Sequence, residues 1–190
     1  MCRLFLWKQE DDTKAVQKIM GEIGRKYPHK QLPSVARPTD EIAYLLASPK
    51  KRTTASVAQW GFRVSSGNLV YNARQETVLH KDIFTNCFLS GRCIVPAHSF
   101  YEWDKDRNCF EFSMVRQGLL YFAGLYRGRG EQGEIVILTT HSRGVVGEIH
   151  HRMPLILDET QLRAWLYDAN VSQQLLSQGI ISLKKEIVEG

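Results

Sequence analysis

The chain has 190 residues, of which 43% are apolar and 24% are charged, and its 25 basic and 20 acidic side chains give a net charge of +5. This length predicts one domain, spanning residues 1–190, with one hydrophobic core. The composition argues against a disordered chain, and no apolar run is long enough for a membrane span or a signal peptide. We therefore expect a cytoplasmic protein, whose charge favours polyanionic partners only weakly.

The first half of the chain changes from a helical to a strand-like pattern. Residues 11–25 predict an amphipathic helix, because apolar side chains recur at spacings of three and four behind two aspartates. The proline-containing stretch 26–40 predicts a loop that is able to line a binding site. Short β-rich runs separated by turn residues then predict strands at 42–47, 55–62, 69–73, 93–96, 100–103, 109–115, 119–126 and 134–140.

The C-terminal segment predicts two short helices and a final strand. Asp158 and Gln161 have the spacing of a capping box ahead of an apolar stripe, and Asn170 suits the start of a second helix that runs to residue 175. A last strand is predicted at 180–183. The order of helix, many strands, two helices and strand predicts an α+β fold with a mainly antiparallel, barrel-like sheet.

The most informative side chain is that of Cys2, because removal of Met1 leaves a free α-amine beside the thiol. The amine titrates near ~8 and the thiol near ~8.5, so both nucleophiles are partly available at neutral pH. Such a 1,2-aminothiol captures an aldehyde through both heteroatoms. The alternative interpretation is a small residue that is merely tolerated at position 2, and the cysteine on its own favours that alternative.

The remaining cysteines and the histidines give no metal-site pattern. Cysteines at positions 87, 93 and 109 are expected to be free thiols, because a reducing compartment disfavours disulfides. The four cysteines and six histidines lack the spacings of a zinc site. We expect neither a metal ion nor a cofactor.

Two internal segments place polar residues where a β core does not ordinarily hold them. In an extended chain, Asn72, Arg74 and Glu76 share one face; the alternative is a solvated strand surface. Glu102 lies between aromatic residues, which desolvate a carboxylate and raise its pKa toward the range needed for proton transfer. It could instead be an edge-strand residue that reaches water or pairs with an arginine.

A third segment, residues 147–154, contains a titratable imidazole and a guanidinium two residues apart. An extended backbone points His150 and Arg152 to one side and His151 to the other. This arrangement suits proton transfer beside a phosphate. The alternative is one buried and one exposed histidine without a chemical role, and none of the three segments is decisive alone.

Together, these segments resemble the SRAP (SOS response-associated peptidase) family. The matching motifs are Cys2, Trp-Gly-Phe at 60–62, Asn-Ala-Arg-Gln-Glu-Thr at 72–77, Arg-Cys-Ile-Val-Pro at 92–96 leading into Phe-Tyr-Glu-Trp at 100–103, and Ile-His-His-Arg-Met-Pro at 149–154. They follow the family's order and cover most of the chain. The resemblance implies a protein that recognises abasic sites in single-stranded DNA and links itself covalently to them. It also implies a thiol-dependent, lyase-like activity and a peptidase activity restricted to removal of Met1.

The resemblance further implies roles for individual residues. Cys2 supplies the amine for a Schiff base with the aldehyde of a ring-opened abasic sugar, and the thiol that closes a thiazolidine. Asn72 orients Cys2 or the sugar, while Glu102 and His150 transfer protons. The expected DNA-binding residues are Arg74, Arg152, Trp103, Arg3 and Lys81. We expect a monomer that associates with the nucleoid when it binds DNA.

Two features depart from the family's pattern. Arg3 stands where many relatives have a glycine that allows close approach of the backbone to DNA. Segment 63–69 is shorter than in many members and lacks the aromatic residues that wedge beside the lesion. We therefore expect the protein to bind DNA differently, or less tightly, than the fuller members do.

Two other functional classes remain open. An amidohydrolase that uses an N-terminal cysteine would release ammonia from glutamine, although such an enzyme does not need the internal motifs. A non-catalytic single-stranded DNA-binding module would bind abasic DNA in a fully reversible way.

Overall fold

The first half of the protein alternates short strands with two helices. The computed structural model describes residues 2–50, 52–128, 132–177 and 182–188. The elements in order are β1 (Phe5–Leu6), α1 (Lys14–Lys26), β2 (Val35–Ala36), β3 (Glu41–Ala47), β4 (Thr53–Trp60), β5 (Phe62–Arg63), β6 (Leu69–Val70), β7 (Asn72–Arg74) and α2 (Asp82–Ser90).

The second half begins with long strands and continues through short helices to a final strand. Its elements are β8 (Arg92–Ala97), β9 (Ser99–Trp103), β10 (Cys109–Met114), β11 (Leu120–Arg127), β12 (Glu134–His141), α3 (Gly144–Gly147), β13 (Arg152–Pro154), β14 (Ile156–Leu157), α4 (Leu162–Tyr167), α5 (Ala169–Leu175) and β15 (Leu183–Ile187). The predicted α+β class is confirmed. Among the described residues, no helix combines the length and apolar character that a membrane crossing requires.

Five strands of the larger sheet form a ring. They pair in the order β12, β4, β3, β8 and β11, and β11 pairs again with β12. All of these pairings are antiparallel except the short contact between β12 and β4. The predicted mainly antiparallel character is therefore present, and the ring leaves each of its members with a partner on both sides.

A second sheet contains β1, the first strand of the chain. Its strand order is β15, β10, β9, β1, β2. β1 pairs antiparallel with both β2 and β9, and the amide of Tyr101 also donates to the carbonyl of Leu4 over 3.1 Å. The first residues are thus aligned with the strand that contains Glu102.

Aromatic packing joins the two sheets. Phe5 of β1 is buried, with its ring centroid 5.2 Å from that of Trp60 and 5.9 Å from that of Phe122. Phe122 also meets Phe100 of β9 edge-on at 6.1 Å. Because removal of a buried phenylalanine ring typically costs roughly 3–5 kcal/mol, this cluster fixes β1 and β9 firmly against the ring of strands.

Two predicted elements differ in their bounds for identifiable reasons. α1 begins at Lys14 rather than at residue 11, because the Asp11 carboxylate accepts the amide of Thr13 and contacts His98 outside the helix. The predicted strand 69–73 is divided at Tyr71, whose carbonyl accepts the indole N–H of Trp60. The two halves pair with different partners, β6 with β5 and β7 with β12.

Other elements were missed or displaced. α2 and α3 were not predicted, although Phe84 and Phe88 of α2 are buried at helical spacing. The last strand was predicted at 180–183 but is observed at Leu183–Ile187, and residues 180 and 181 lie outside the described ranges. β15 pairs with β10 through its main chain while carrying charged side chains, so an apolar pattern could not reveal it.

Candidate active site around Cys2

Cys2 is buried, and its main-chain carbonyl is hydrogen-bonded to the side chain of Asn72. The side-chain nitrogen Nδ2 of Asn72 donates to the carbonyl oxygen of Cys2 over 2.7 Å. Asn72 begins β7, which pairs in parallel with β12 so that Asn72 lies opposite Ile137. The larger sheet therefore positions an amide that holds the first residues of the chain. The structure brings together two residues that the sequence predicts to act together.

The side-chain oxygen of Asn72 is a hydrogen-bond acceptor without a donor among the described residues. This Oδ1 atom is buried. An unpaired buried acceptor costs roughly 1–3 kcal/mol, so such groups ordinarily have a partner in a functional complex. This oxygen is available to a donor on a ligand.

The Cys2 thiol is held in its protonated form. Burial raises the pKa of this thiol, and the nearby negative charge of Glu102 acts in the same direction. The sulfur lies 3.9 Å from the carbonyl oxygen of Leu4. Because the thiolate is the reactive form of a cysteine, this thiol could act as a nucleophile only if a base accepts its proton.

Glu102 is a buried carboxyl on β9, with only 3% of its surface exposed. Burial raises the pKa of Glu102, and the positive charge of Arg3 opposes this shift only in part. This is the direction that the aromatic neighbours predicted. Glu102 therefore keeps its proton to a higher pH than an ordinary glutamate does.

His150 lies between α3 and β13 with its Nδ1 atom 3.9 Å from Oε2 of Glu102. The main chain of Arg152 contacts the same nitrogen, with the amide nitrogen at 3.1 Å and the carbonyl oxygen at 3.0 Å. A protonated Nδ1 donates to that carbonyl, and an unprotonated Nδ1 accepts from that amide, so the ring keeps one orientation in both states. Partial burial, aided by the charge of Arg152, lowers the pKa of His150. The imidazole is therefore able to accept a proton near neutral pH.

The prediction that the tandem histidines point to opposite sides was wrong. The rings of His150 and His151 lie 4.5 Å apart. Both residues precede β13, which begins only at Arg152, so the alternation of side chains along a strand does not apply to them. His151 is exposed, and the charge of His150 lowers its pKa.

Arg152, a predicted phosphate contact, is buried in a two-point ion pair with Glu76. Its Nη1 and Nη2 atoms donate to the two carboxylate oxygens over 2.8 and 3.1 Å. Nη2 also donates to the carbonyl of Thr139 over 2.7 Å, and only 4% of the side chain is exposed. The guanidinium therefore ties β13 to β12 and to the turn after β7.

The other predicted DNA contacts lie at the surface. Arg74 is exposed at the end of β7, and the guanidinium carbon of Arg3 lies 4.8 Å from the ring centroid of Trp103. Lys81 is exposed at the start of α2. Within the described ranges, no side-chain hydrogen bond or ion pair joins Lys81 to the residues around Cys2.

A surface pocket of about 410 Å³ adjoins this region, and it includes residues that were not predicted as site residues. It is lined by Arg3, Leu4, Arg37, Pro38, Tyr71 and Trp103. Two signals pointed to the unpredicted members, since Arg37 lies in the loop predicted to line a site and Tyr71 directly precedes Asn72.

The described cysteines are all free thiols, at positions 2, 87, 93 and 109. In the described part of the chain, no group of three or more histidine, cysteine, aspartate or glutamate side chains is placed to hold a metal ion. The groups assembled around Cys2 are thus a thiol, an amide, a carboxyl and an imidazole.

Comparisons with known proteins agree with the motifs. Residues 1–188 match the family described as SRAP, SOS response associated peptidase. The chain is 32% identical over 142 residues to the abasic site processing protein YoaM of Bacillus subtilis, covering 70% of this chain and 63% of that protein. It is 33% identical over 129 residues to the abasic site processing protein YoqW of the same organism, covering 63% of this chain and 58% of that protein. The chain thus spans less than two thirds of the length of these relatives.

A solved structure shares the fold. A crystal structure of a protein from Bordetella bronchiseptica has a TM-score of 0.79 and 18% sequence identity, over 99% of this chain and 100% of that one. At this identity the likeness concerns the fold alone. The family match, in contrast, extends over nearly the whole sequence. This chain belongs to the SRAP family.

Proposed function

We propose that this protein captures abasic sites in single-stranded DNA through a covalent bond to Cys2, after Met1 has been removed. The observation that carries the proposal is the burial of Cys2 against Asn72, since residues at the start of a chain are ordinarily exposed and weakly held. The position of Glu102 and His150 beside each other gives this site two proton-transfer groups. The names of the relatives, abasic site processing proteins, support the same substrate.

The first step uses the α-amine. In its ring-opened form an abasic deoxyribose carries an aldehyde at C1′, and the neutral amine of Cys2 attacks this carbon to give a carbinolamine. The hydroxyl then leaves as water after it receives a proton, and a C=N bond forms. Glu102 suits this donation, because burial raises its pKa and keeps its proton available to a higher pH than in an ordinary glutamate.

The second step uses the thiol. The sulfur attacks the same carbon, the C1′–S bond forms, and the electron pair of the C=N bond returns to nitrogen. The thiol proton passes to a base, and His150 suits this role because its lowered pKa leaves the imidazole neutral. Overall, one aldehyde and one aminothiol give one thiazolidine and one water.

Asn72 holds the reacting residue in place. Its Nδ2 atom fixes the Cys2 carbonyl, and its buried Oδ1 atom is free to accept a hydrogen bond from the Cys2 amine or from a sugar hydroxyl. Holding a nucleophile in a reactive position removes much of the entropic barrier to bond formation.

The proposed contacts to DNA are exposed cations and one aromatic ring. We assign Arg74, Arg3 and Lys81 to phosphates because all three are exposed cations, and we assign Trp103 to a contact with the strand. Arg152 was expected among them, but its pairing with Glu76 gives it, in our proposal, the different task of positioning His150.

The proposed peptidase activity is restricted to the removal of Met1, which frees the amine. An intact-mass measurement of the purified protein decides whether this processing occurs. A protein that keeps Met1 lacks the aminothiol and is expected to form no thiazolidine.

The covalent reaction is tested with an oligonucleotide that contains one abasic site. We expect a heat-stable adduct whose mass equals protein plus oligonucleotide minus one water. Cys2→Ala removes the thiol, and Cys2→Ser keeps a hydroxyl in its place, so both variants should give only a Schiff base that needs borohydride to be trapped. Absence of an adduct with the Met1-processed protein would refute the proposal. Ammonia release from glutamine would instead identify an amidohydrolase, and binding that denaturant fully reverses would identify a non-catalytic module.

A further inference from the structure

The pocket beside Trp103 brings two cationic and two aromatic side chains to one space. Arg3 and Arg37 come from segments far apart in sequence, as do Tyr71 and Trp103. Its volume of about 410 Å³ is in the usual range for pockets that bind small molecules or single groups of a larger ligand. Leu4 and Tyr71 also connect the pocket to Cys2 and Asn72 through the chain.

No described ion pair or side-chain hydrogen bond joins either guanidinium in this pocket to a carboxylate, although the charge of Arg3 acts on Glu102. The acidic residue of the same loop, Asp40, uses its carboxylate to accept the main-chain N–H of Arg37 over 2.8 Å. Arg3 stacks on Trp103, and in the described ranges it forms no side-chain hydrogen bond or ion pair. Two exposed guanidinium groups at one pocket create a positive potential that favours an anion.

The guanidinium of Arg3 and the main chain of Arg37 are held in place before a ligand arrives. The stacking of Arg3 on the Trp103 ring restricts its guanidinium by a cation–π contact. The main chain of Arg37 is fixed by Asp40, whose own N–H donates to the Arg37 carbonyl over 3.0 Å, and by the ring of Pro38. Preorganisation of this kind lowers the entropy that binding has to overcome.

We propose that Arg3 and Arg37 together bind one backbone phosphate next to the abasic nucleotide, with Tyr71 and Trp103 bordering the sugar and base attached to that phosphate. This inference rests on the proposed function and deepens it. Guanidinium groups match the oxygens of a phosphate, and aromatic side chains add contact area for a sugar or base. Segment 63–69 contains no aromatic side chain that could add to this contact.

The binding test uses single-stranded DNA with a tetrahydrofuran residue, an abasic analogue that has no aldehyde and forms no adduct. Arg37→Gln should weaken binding by about 5- to 30-fold, and the slope of log affinity against log salt should decrease in magnitude by about 0.7, the value for one lost phosphate contact on a single strand. The matched control is Arg52→Gln, which removes an exposed arginine outside the pocket and should change affinity by less than about twofold.

The contact is located by replacing one phosphate at a time with an uncharged methylphosphonate. In the wild-type protein, one position beside the analogue should cause a larger loss of affinity than Arg37→Gln does, because both arginine contacts are lost there. At that position Arg37→Gln should show a smaller further loss than wild type, since only the Arg3 contact remains. The inference would be overturned if every methylphosphonate weakened the binding of wild type and Arg37→Gln by the same factor. It would also be overturned if Arg37→Gln bound the unmodified DNA with wild-type affinity. Because the analogue cannot react, failure here is distinct from failure of covalent capture, which is read from adduct formation on true abasic DNA.

Discussion

Arg152 and Glu76 form an ion pair in which each terminal guanidinium nitrogen contacts one carboxylate oxygen. The main chain of the same arginine contacts Nδ1 of His150 from two sides. A contact that stabilises the turn after β7 therefore also sets the orientation of an imidazole that we propose to transfer protons. Lysine cannot reproduce this geometry, because it presents one point charge rather than a planar fork.

Arg152→Lys should slow adduct formation at saturating DNA more than it weakens binding. The substitution keeps the positive charge but loses the two-point contact, with an expected cost of roughly 1–3 kcal/mol in folding stability. Affinity for tetrahydrofuran-containing DNA and the single-turnover rate on abasic DNA separate the two effects.

Glu76→Gln is the matched variant, since it breaks the same ion pair and leaves Arg152 in place. If Arg152 acts by positioning His150, both variants slow the reaction. If its main work is to bind phosphate, freeing the guanidinium in Glu76→Gln strengthens DNA binding and leaves the single-turnover rate unchanged, and that result would contradict the positioning role.

The Glu76 ion pair should also make stability depend on pH. Partial burial acts to raise the pKa of Glu76, but the hydrogen bonds and charge of Arg152 outweigh it and the pKa is lowered. A carboxyl with a lowered folded-state pKa stabilises the protein above its unfolded pKa of about 4.3, and this contribution is lost as pH falls through the folded value. Urea denaturation of wild type and Glu76→Gln should show a stability difference at pH 7 that shrinks below about pH 4. A constant difference would exclude the ionised carboxylate as its source.

Glu102→Gln should stabilise the protein at neutral pH while slowing capture. Burial raises the pKa of Glu102, so the folded state binds its proton more tightly than the unfolded state does. That contribution to stability is complete below the unfolded pKa of about 4.3 and is lost as pH rises through the raised folded value. Glutamine is neutral at every pH and avoids this loss.

Thermal unfolding checks this expectation, since each kcal/mol corresponds to roughly 2–4 °C in a domain of this size. The Tm difference between Glu102→Gln and wild type should grow from pH 4 to pH 7. A variant that is less stable at pH 7, or one that captures DNA at the wild-type rate, would show that Glu102 has a structural role instead.

Asn72→Ala should reduce the rate of adduct formation by about 10- to 100-fold, because the carbonyl of Cys2 loses the donor that positions it. Asn72→Asp keeps the shape of the side chain but replaces the donor with a second acceptor, so it should be at least as slow. Single-turnover kinetics at saturating DNA give the rates, and the Tm should fall by only the equivalent of about 1 kcal/mol for one lost hydrogen bond. Equal rates for wild type and Asn72→Ala would remove Asn72 from the reaction.

Local sequence patterns were sufficient for some features and insufficient for others. The long apolar runs predicted β3, β4, β11 and β12, and the aromatic neighbours of Glu102 predicted the direction of its pKa shift, because each signal lies within a few residues. The pairing of Arg152 with Glu76 joins residues 76 positions apart. It depends on β7 and β13 both pairing with β12, a register that the local pattern does not contain.

The pocket beside Trp103 was unpredicted for a similar reason. Arg37 and Tyr71 lie 34 positions apart by their numbers, and each has an ordinary local role, one in a loop and one at the division between β6 and β7. Only the folded chain shows that they share a space with Arg3. The prediction for His150 and His151 failed for a different reason. It assumed the alternating side-chain directions of a strand for two residues that precede the strand β13.

The aromatic anchor of β1 has a mechanical consequence. Phe5 lies three residues after Cys2 and is buried against Trp60 and Phe122. Detaching the start of the chain therefore requires disruption of packing that both sheets share, and this raises the free energy of local fraying. In our proposal, tension on a DNA strand attached at Cys2 would act on a segment anchored to both sheets, so the start of the chain should stay in place while the covalent bond bears the load.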